Sequence, residues 1–158
     1  MITYNNEITA DEVNYLRASI GFRQIHPEQV NAGLRGSAFI VVDDENNVAL
    51  VKQAYVSNNY ICVAGYVKQG ETIESTAKRE VEEETGLQVI SAKYIKSYYY
   101  EKRDNLMFGF VCIVKHSEFN ISGEVDKAEW FSLTEAEKLL RQGSVGQDLM
   151  RDYLEQLQ

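Results

Sequence analysis

The chain is poor in cysteine: Cys62 and Cys112 are its whole complement, and they lie far apart without a CxxC pair. Zinc sites and disulfide frameworks are built from clustered cysteines, so the sequence predicts neither. Each cysteine lies inside an apolar run, which favours two buried free thiols. The two histidines, His26 and His116, stand beside a proline and at the end of a predicted strand, and neither is expected to be catalytic.

Long apolar runs and an excess of basic charge are also missing. No stretch approaches the roughly 18 apolar residues of a membrane-spanning helix, and the first residues are polar and acidic, unlike a signal peptide. We therefore expect a cytoplasmic protein that does not enter a membrane. With 24 acidic against 16 basic residues and a net charge of −8, it lacks the cationic surface by which long nucleic acids are bound.

Glutamate, by contrast, is abundant, and three glutamates fall within one turn. Glu80, Glu83 and Glu84 are spaced i, i+3 and i+4, so on a helix they lie on one face. Close carboxylates repel one another unless a cation lies among them, and oxygen ligands of this kind suit Mg²⁺ or Mn²⁺. The cluster is either a metal site or a solvated acidic helix face.

The sequence around the cluster delimits a helix. Thr72 is the predicted N-cap, because Ile73, Ala77 and Val81 follow it at the i, i+4 spacing of a buried seam. Gly86 is expected to end the helix as a residue that readily adopts a positive φ. One face of this helix would pack on a core while the neighbouring face carries the acids.

The glutamates belong to a longer spaced pattern. Gly65, Glu71, Arg79 and Gly86 stand at fixed distances from them within the stretch GYVKQGETIESTAKREVEEETGL at 65–87. This pattern resembles the complete signature of the Nudix hydrolases. The resemblance implies an α/β fold, an α/β/α sandwich with a mixed β-sheet, and Mg²⁺-dependent hydrolysis of a nucleoside diphosphate linked to a further group X.

The resemblance also implies roles for individual residues. Glu80, Glu83 and Glu84, with the Ala64 carbonyl and Glu124, are the expected metal ligands. A carboxylate not fully occupied by metal would take a proton from the attacking water, and Glu80, Glu83 and Glu124 all remain candidates.

Supporting roles are expected for the other positions of the pattern. Arg79 would orient the glutamates by ion pairing, a bidentate role for which lysine is a poor replacement. Glu71, Gly65 and Gly86 would shape the loops around the helix. Glu124 lies six residues before Trp130, a placing that resembles the family's additional glutamate outside the signature, although a solvated surface glutamate is the competing interpretation.

Among Nudix hydrolases, the NADH pyrophosphatases offer the best local match. Residues 64–67 (AGYV) resemble their Ala-Gly-Phe-Val, and 97–105 (SYYYEKRDN) matches the length of their Ser-Gln-Pro-Trp-Pro-Phe-Pro-Gln-Ser. Ser97 is retained and Tyr100 replaces the tryptophan, but every proline is gone and their four-cysteine zinc ribbon has no counterpart.

The comparison sets the expected substrate class. Ser97, Tyr98 and Tyr100 are expected to bind substrate, or else to pack as an aromatic strand end. A small dinucleotide such as NADH or ADP-ribose is favoured; a nucleoside triphosphate, or a non-catalytic nucleotide-sensing module, is the alternative.

The remaining pattern predicts one domain with an extension, a size that 158 residues permit. Helices are expected after Thr9 and from Pro27, in an extension over 1–36 that packs on the domain or forms a homodimer. Closing helices are expected from two capping boxes, Thr134 with Glu137 and Ser144 with Gln147. The Nudix domain over 37–158 would contain strands at 37–42, 48–53, 60–67, 87–100, 106–115 and 128–131, the first two joined as a hairpin.

Overall fold

The computed structural model describes residues 10–21, 35–54, 57–68, 70–103 and 105–158. The chain divides into two compact units, Met1–Leu34 and Arg35–Gln158. Helix α1 (Ala10–Ser19) belongs to the first unit and confirms the first of its two predicted helices. Thr9, His26 and the helix predicted from Pro27 lie outside the described residues.

The second unit contains a seven-stranded mixed sheet. Its order is β3-β2-β1-β6-β5, with β4 paired to β1 and β7 to β2. Strands β1 and β6 run parallel, while the other pairs are antiparallel. The strands are β1 (Arg35–Val42), β2 (Asn47–Gln53), β3 (Ser57–Ile61), β4 (Val63–Tyr66), β5 (Val89–Tyr100), β6 (Asn105–Val114) and β7 (Lys127–Ser132).

Helices cover both faces of this sheet. The helices are α2 (Ile73–Thr85), α3 (Leu133–Leu139) and α4 (Val145–Gln156). On one face Ala77 and Val81 of α2 pack with Phe39 of β1, and on the other Ala136 and Leu149 join a separate core cluster. Strand β1 is buried on both sides because it lies between the layers, which its unbroken apolar run requires. The predicted α/β/α sandwich is confirmed.

Several local predictions are also confirmed. The turn between β1 and β2 contains Asn46 at a positive φ of 64°, as a tight hairpin requires. The Thr72 side chain caps α2 by accepting from the Ser75 amide, and Gly86 ends it at φ 73°. Ser144 caps α4 by accepting from the Gln147 amide. Both cysteines are free and buried.

One predicted strand is in fact two. Residues 60–67 were expected to be a single extended piece, but the ladder breaks at Cys62. Ile61 pairs with Val51 of β2, whereas Val63 pairs with Phe39 of β1. The segment changes partner strand at this point, and one continuous strand cannot follow both neighbours.

The predicted capping box at Thr134 is wrong by two residues. Ser132, the last residue of β7, caps α3 by accepting from the Glu135 amide, and Glu135 accepts from the Ser132 amide in return. The strand runs directly into the helix, so Thr134 lies inside the first turn. Among the helices that the structure describes, none has the length and apolar character needed to cross a membrane.

Candidate active site

A cavity of about 410 Å³ opens where α2 meets the ends of β2, β4 and β6. Glu80 and Glu84 of α2, Ala64 of β4 and Glu124 of the β6–β7 loop all line it. Tyr100, at the end of β5, contributes to the same wall. The fold therefore brings together acids from two separate segments and Ala64 from a third.

Arg79 organises the side chains at the entrance to this cavity. Its Nε and Nη2 donate to the two carboxylate oxygens of Glu71, at 2.5 and 2.9 Å. Its Nη1 donates to Glu80 at 2.5 Å and to Glu83 at 3.0 Å, and Nη2 also reaches the Tyr66 carbonyl at 3.0 Å. The hydrogen bond from Arg79 holds the pKa of Glu71 at about 2. The planar guanidinium thus ties the loop before α2 to two of its acids.

Gly65 allows Glu80 to approach the backbone of β4. A Cβ atom at position 65 would collide with the carboxylate of Glu80. Any larger residue would push this side chain out of its place beside the cavity, so the glycine is a requirement of the close approach.

Glu84 is the most deeply buried acid of the site. It is 4% exposed, its Oε1 accepts from Gln53 Nε2 at 3.0 Å, and its Oε2 has no hydrogen-bond partner. Burial raises the pKa of Glu84 to about 8, against the hydrogen bond from Gln53, and the charges of Glu80 and Glu124 raise it further. Burial also raises the pKa of Glu80, although Arg79 opposes the shift. A cation bound in the cavity would therefore offset the cost of ionising these buried carboxylates.

A divalent cation fits this cavity chemically. Glu80, Glu84 and Glu124 offer carboxylate oxygens, the ligands that Mg²⁺ and Mn²⁺ prefer, and one oxygen of Glu84 has no protein partner. Within the described part of the chain, no three acidic or histidine side chains already converge on one ion position. Arg79 donates to Glu80 and Gln53 donates to Glu84, so one oxygen of each carboxylate is directed at a protein donor.

Glu83 is placed differently from the other two glutamates. It is absent from the cavity lining, its side chain is 52% exposed, and it pairs with Lys68 at 3.7 Å and with Arg79. The i, i+3, i+4 spacing correctly predicts one helix face, but that face runs from the buried Glu84 to the solvent-exposed Glu83.

The loop that carries Glu124 is fixed to the sheet. Asp126 accepts from the Ala54 amide at 2.6 Å and donates its own amide to the Lys52 carbonyl at 2.8 Å. The acid beside Glu124 thus anchors the loop to the end of β2, and this anchoring places exposed Glu124 at the cavity rim.

Of the three residues expected to bind substrate, the structure brings only Tyr100 to the cavity. Ser97 is exposed on β5, and Tyr98 packs against the opposite core cluster and donates its hydroxyl to Asp152 of α4 at 2.6 Å. Neither lines this cavity. Two residues of strand separate Tyr98 from Tyr100 by about 7 Å, which is enough to move Tyr98 under α4.

Gln53 and Asn105 are among the cavity residues that the sequence does not predict. Gln53 ends an apolar strand, and Asn105 stands in what reads as a connector. Gln53 meets Glu84 across 31 residues of chain, and no local signal predicts such a contact.

Comparisons with known proteins agree with this architecture. The sequence profile of the NUDIX domain matches residues 33–153. The chain is 33% identical over 129 residues to the NAD-capped RNA hydrolase NudC of Pseudomonas aeruginosa, an alignment covering 77% of this chain and 44% of that protein. It is 32% identical over 85 residues to the NAD-capped RNA hydrolase NUDT12 of Homo sapiens, covering 53% of this chain and 18% of that one. The chain thus spans less than half the length of these relatives.

Solved structures show the same fold at lower identity. The NUDIX domain of Shewanella oneidensis NrtR, complexed with ADP ribose, superposes with a TM-score of 0.69 at 15% identity, over 93% of this chain and 99% of that one. A C. elegans Ap4A hydrolase in a binary complex gives a TM-score of 0.65 at 18% identity, over 77% and 97%. The profile match covers most of the chain, and with it the sheet, α2 and the acidic cavity. The protein is therefore a member of the NUDIX domain family.

Proposed function

We propose that the protein hydrolyses the pyrophosphate bond of a nucleoside diphosphate linked to a further group X. The observation that carries this proposal is the cavity in which Glu80, Glu84 and Glu124 meet the Ala64 backbone, with one Glu84 oxygen buried and unpartnered. Such a site attracts divalent cations, and through them the oxygens of a pyrophosphate. Family membership supports the same reaction. We assign the activity to residues 37–158, with 1–36 as an extension that offers contacts for a homodimer.

Mg²⁺ or Mn²⁺ is the proposed cofactor. Glu80, Glu84 and the Ala64 carbonyl would hold it within the cavity, and Glu83 would join them from the exposed edge. When bound, the cation would supply positive charge that stabilises the pyrophosphate oxygens while a phosphorus–oxygen bond of the pyrophosphate breaks.

The chain's own residues do the remaining work. Arg79 fixes Glu80 and Glu83 in place and, through Glu71, holds the loop before α2. Glu124 is the carboxylate that we assign to proton acceptance from the attacking water, because Glu80 and Glu83 are both hydrogen-bonded by Arg79 whereas Glu124 stands at the rim. A base must reach the water with an oxygen that is not already occupied.

A small dinucleotide-type substrate is proposed, such as NADH or ADP-ribose. The names of the sequence relatives support an NAD-like group. The net charge of −8 argues for a small anion bound at a local cation rather than a long polyanion.

A substrate panel tests the proposal. The protein is incubated with NADH, ADP-ribose, nucleoside triphosphates or dinucleoside polyphosphates, with Mg²⁺, with Mn²⁺ and with EDTA, and mononucleotide release is followed by chromatography. We expect metal-dependent release from NADH or ADP-ribose that EDTA abolishes. Binding of these compounds without turnover would instead identify a nucleotide-sensing module.

A further inference from the structure

A second cavity, of about 340 Å³, adjoins the acidic one. Ala64, Tyr100 and Met107 line both, so the two spaces meet along one wall. The acidic cavity carries the glutamates, whereas the second is bounded by Tyr60 and Leu140 with other largely apolar groups. A ligand lying across the shared wall would have its charged part on one side and a flat, apolar part on the other.

Asn105 lies in the acidic cavity close to this wall. Its side chain is buried, with 5% of the residue exposed, and its Oδ1 has no hydrogen-bond partner. Its Nδ2 contacts only a weak acceptor among the described residues, the Met107 thioether at 3.5 Å. A buried amide that is left unsatisfied in this way costs stability. Asn105 is therefore better explained as a residue that binds a ligand than as one that packs the core.

Tyr100 stands directly beside Asn105. The two are register partners across β5 and β6, and paired residues of neighbouring strands project on the same face of the sheet. Gly36 adds to the opening, because a Cβ there would collide with Met107 and lie 3.1 Å from Nδ2 of Asn105. An aromatic ring and an open amide are thus presented together to the cavity.

We propose that Asn105 and Tyr100 together recognise a planar heterocyclic ring of the substrate that carries a hydrogen-bond donor beside an acceptor. This rests on the proposed function, since the pyrophosphate of the same molecule would lie on the glutamate side of the wall. The Asn105 amide offers one acceptor and two donors, which pair with such an edge through two hydrogen bonds. The Tyr100 ring supplies a stacking surface. An adenine amino edge and a nicotinamide carboxamide share this chemistry.

The test compares substrates that carry this donor–acceptor edge on both rings, on adenine alone or on nicotinamide alone. KM is measured for NADH, ADP-ribose and the NADH analogue that has unsubstituted purine in place of adenine, with wild-type protein and Asn105→Leu. Leucine keeps the volume and removes the hydrogen bonds. Asn58→Ala, at an exposed asparagine of β3 outside both cavities, is the matched control.

Loss of two neutral hydrogen bonds should raise KM about tenfold. If adenine is the ring recognised, KM rises for NADH and ADP-ribose only; if nicotinamide is, it rises for NADH and the purine analogue only. The melting temperature of Asn105→Leu should equal or exceed that of the wild type, because an unsatisfied buried amide is removed. A purely structural asparagine would give the opposite result.

Unchanged KM values for all three substrates in Asn105→Leu would overturn the inference while leaving the proposed function intact. If no substrate is turned over, dissociation constants measured by calorimetry replace KM in the same comparison. A failure of the proposed function can therefore be told apart from a failure of this inference. Asn105→Ala replaces the leucine variant if that variant does not fold. As a second arm, Tyr100→Leu should raise KM for the same substrates and Tyr100→Phe should not, because only phenylalanine keeps the stacking surface.

Discussion

At the scale of single residues, the cavity depends on acids that the fold holds at a cost. Glu84 is buried with one oxygen satisfied by Gln53 and the other without a partner. Burial of a carboxylate disfavours its charged form, and the raised pKa of about 8 reflects this. Such a residue lowers the stability of the metal-free protein but would stabilise a complex with a cation. Its substitution should therefore lower activity without lowering the free energy of unfolding.

Glu84→Gln is predicted to lower kcat/KM by about two orders of magnitude, since a metal ligand accounts for several kcal/mol of transition-state stabilisation. In EDTA its free energy of unfolding should equal or exceed that of the wild type, because glutamine does not carry the cost of burying a carboxylate or of protonating it. Enzyme assays and urea unfolding check the two halves. Glu82→Gln, on the exposed side of the same helix, is the control and should change neither.

The expected role of Arg79 depends on the shape of its guanidinium group as well as on its charge. Arg79→Lys keeps the positive charge but cannot bridge Glu71, Glu80 and Glu83 simultaneously. Activity should fall about tenfold to a hundredfold, the usual cost of losing a group that orients metal ligands. A Mg²⁺ titration of activity should show a weaker apparent affinity. Full activity at the same Mg²⁺ concentration would show that Arg79 has no orienting role.

At the scale of elements, the signals that predict the structure are local ones. Helix α2 and its caps at Thr72 and Gly86 follow from residues adjacent in the chain, and the β1–β2 hairpin follows from its polar turn. The change of partner at Cys62 could not be predicted in this way. Strand pairing depends on residues far away in the sequence, and an extended run looks the same whichever neighbour it joins.

Two variants at the start of α3 test which residue is its N-cap. Ser132→Ala should cost about 1 kcal/mol of unfolding free energy, because it removes the acceptor for the Glu135 amide. Thr134→Ala should be close to neutral, since that residue lies within the first turn. Denaturant unfolding of the two variants decides between the positions, and a larger loss at Thr134 would restore the capping box predicted from sequence.

His116 and Asp43 join the end of β6 to the β1–β2 turn. Nδ1 of His116 lies 2.5 Å from Oδ2 of Asp43, and its ring stacks on Trp130 with centroids 5.1 Å apart. The hydrogen bond to Asp43 raises the pKa of His116. Burial alone would raise the pKa of Asp43, but hydrogen bonds from His116 and Asn47 outweigh it and lower the value.

The sign of the pH dependence follows from these two shifts. The contribution of His116 is complete below its ordinary pKa of 6.5 and is lost as the pH rises through the raised value. That of Asp43 is present above 3.8 and is lost as the pH falls through the lowered value. The pair should therefore stabilise the fold most between these limits.

His116→Phe keeps a ring against Trp130 and removes the hydrogen bond. The difference in unfolding free energy between wild type and this variant should be largest between pH 3.8 and 6.5, and should shrink as the pH rises above 6.5 through the raised pKa of His116. Urea unfolding at a series of pH values checks it. A difference that stays constant across the range would mean that the contact acts by packing alone.

At the scale of the whole molecule, the fold assembles a site that the sequence shows only in parts. The acidic signature predicts α2 and its chemistry, and the α/β/α arrangement follows from the family that the signature identifies. The cavity also needs Gln53, Asn105 and the anchored loop of Glu124, which come from three other segments. Glu124 is expected at the site from its placing before Trp130, which resembles the family's pattern. The approach of Gln53 and Asn105 is a consequence of tertiary packing that no spacing rule reveals, and for the same reason Ser97 and Tyr98 are not at the cavity.

The net charge of −8 is consistent with an anionic substrate only because recognition is local. Divalent cations bound in the acidic cavity would reverse its charge at the point of contact, while the rest of the surface would continue to repel long polyanions. A divalent metal is therefore expected to be indispensable to both substrate binding and cleavage.

The most direct test of this account is mononucleotide release from NADH and ADP-ribose, followed by chromatography in the presence of Mg²⁺ for wild type and Glu84→Gln side by side. The account predicts that the wild type converts at least one of them to mononucleotides and that the variant is about a hundredfold slower. Equal rates in the two proteins, or intact substrates with the wild type, would contradict it.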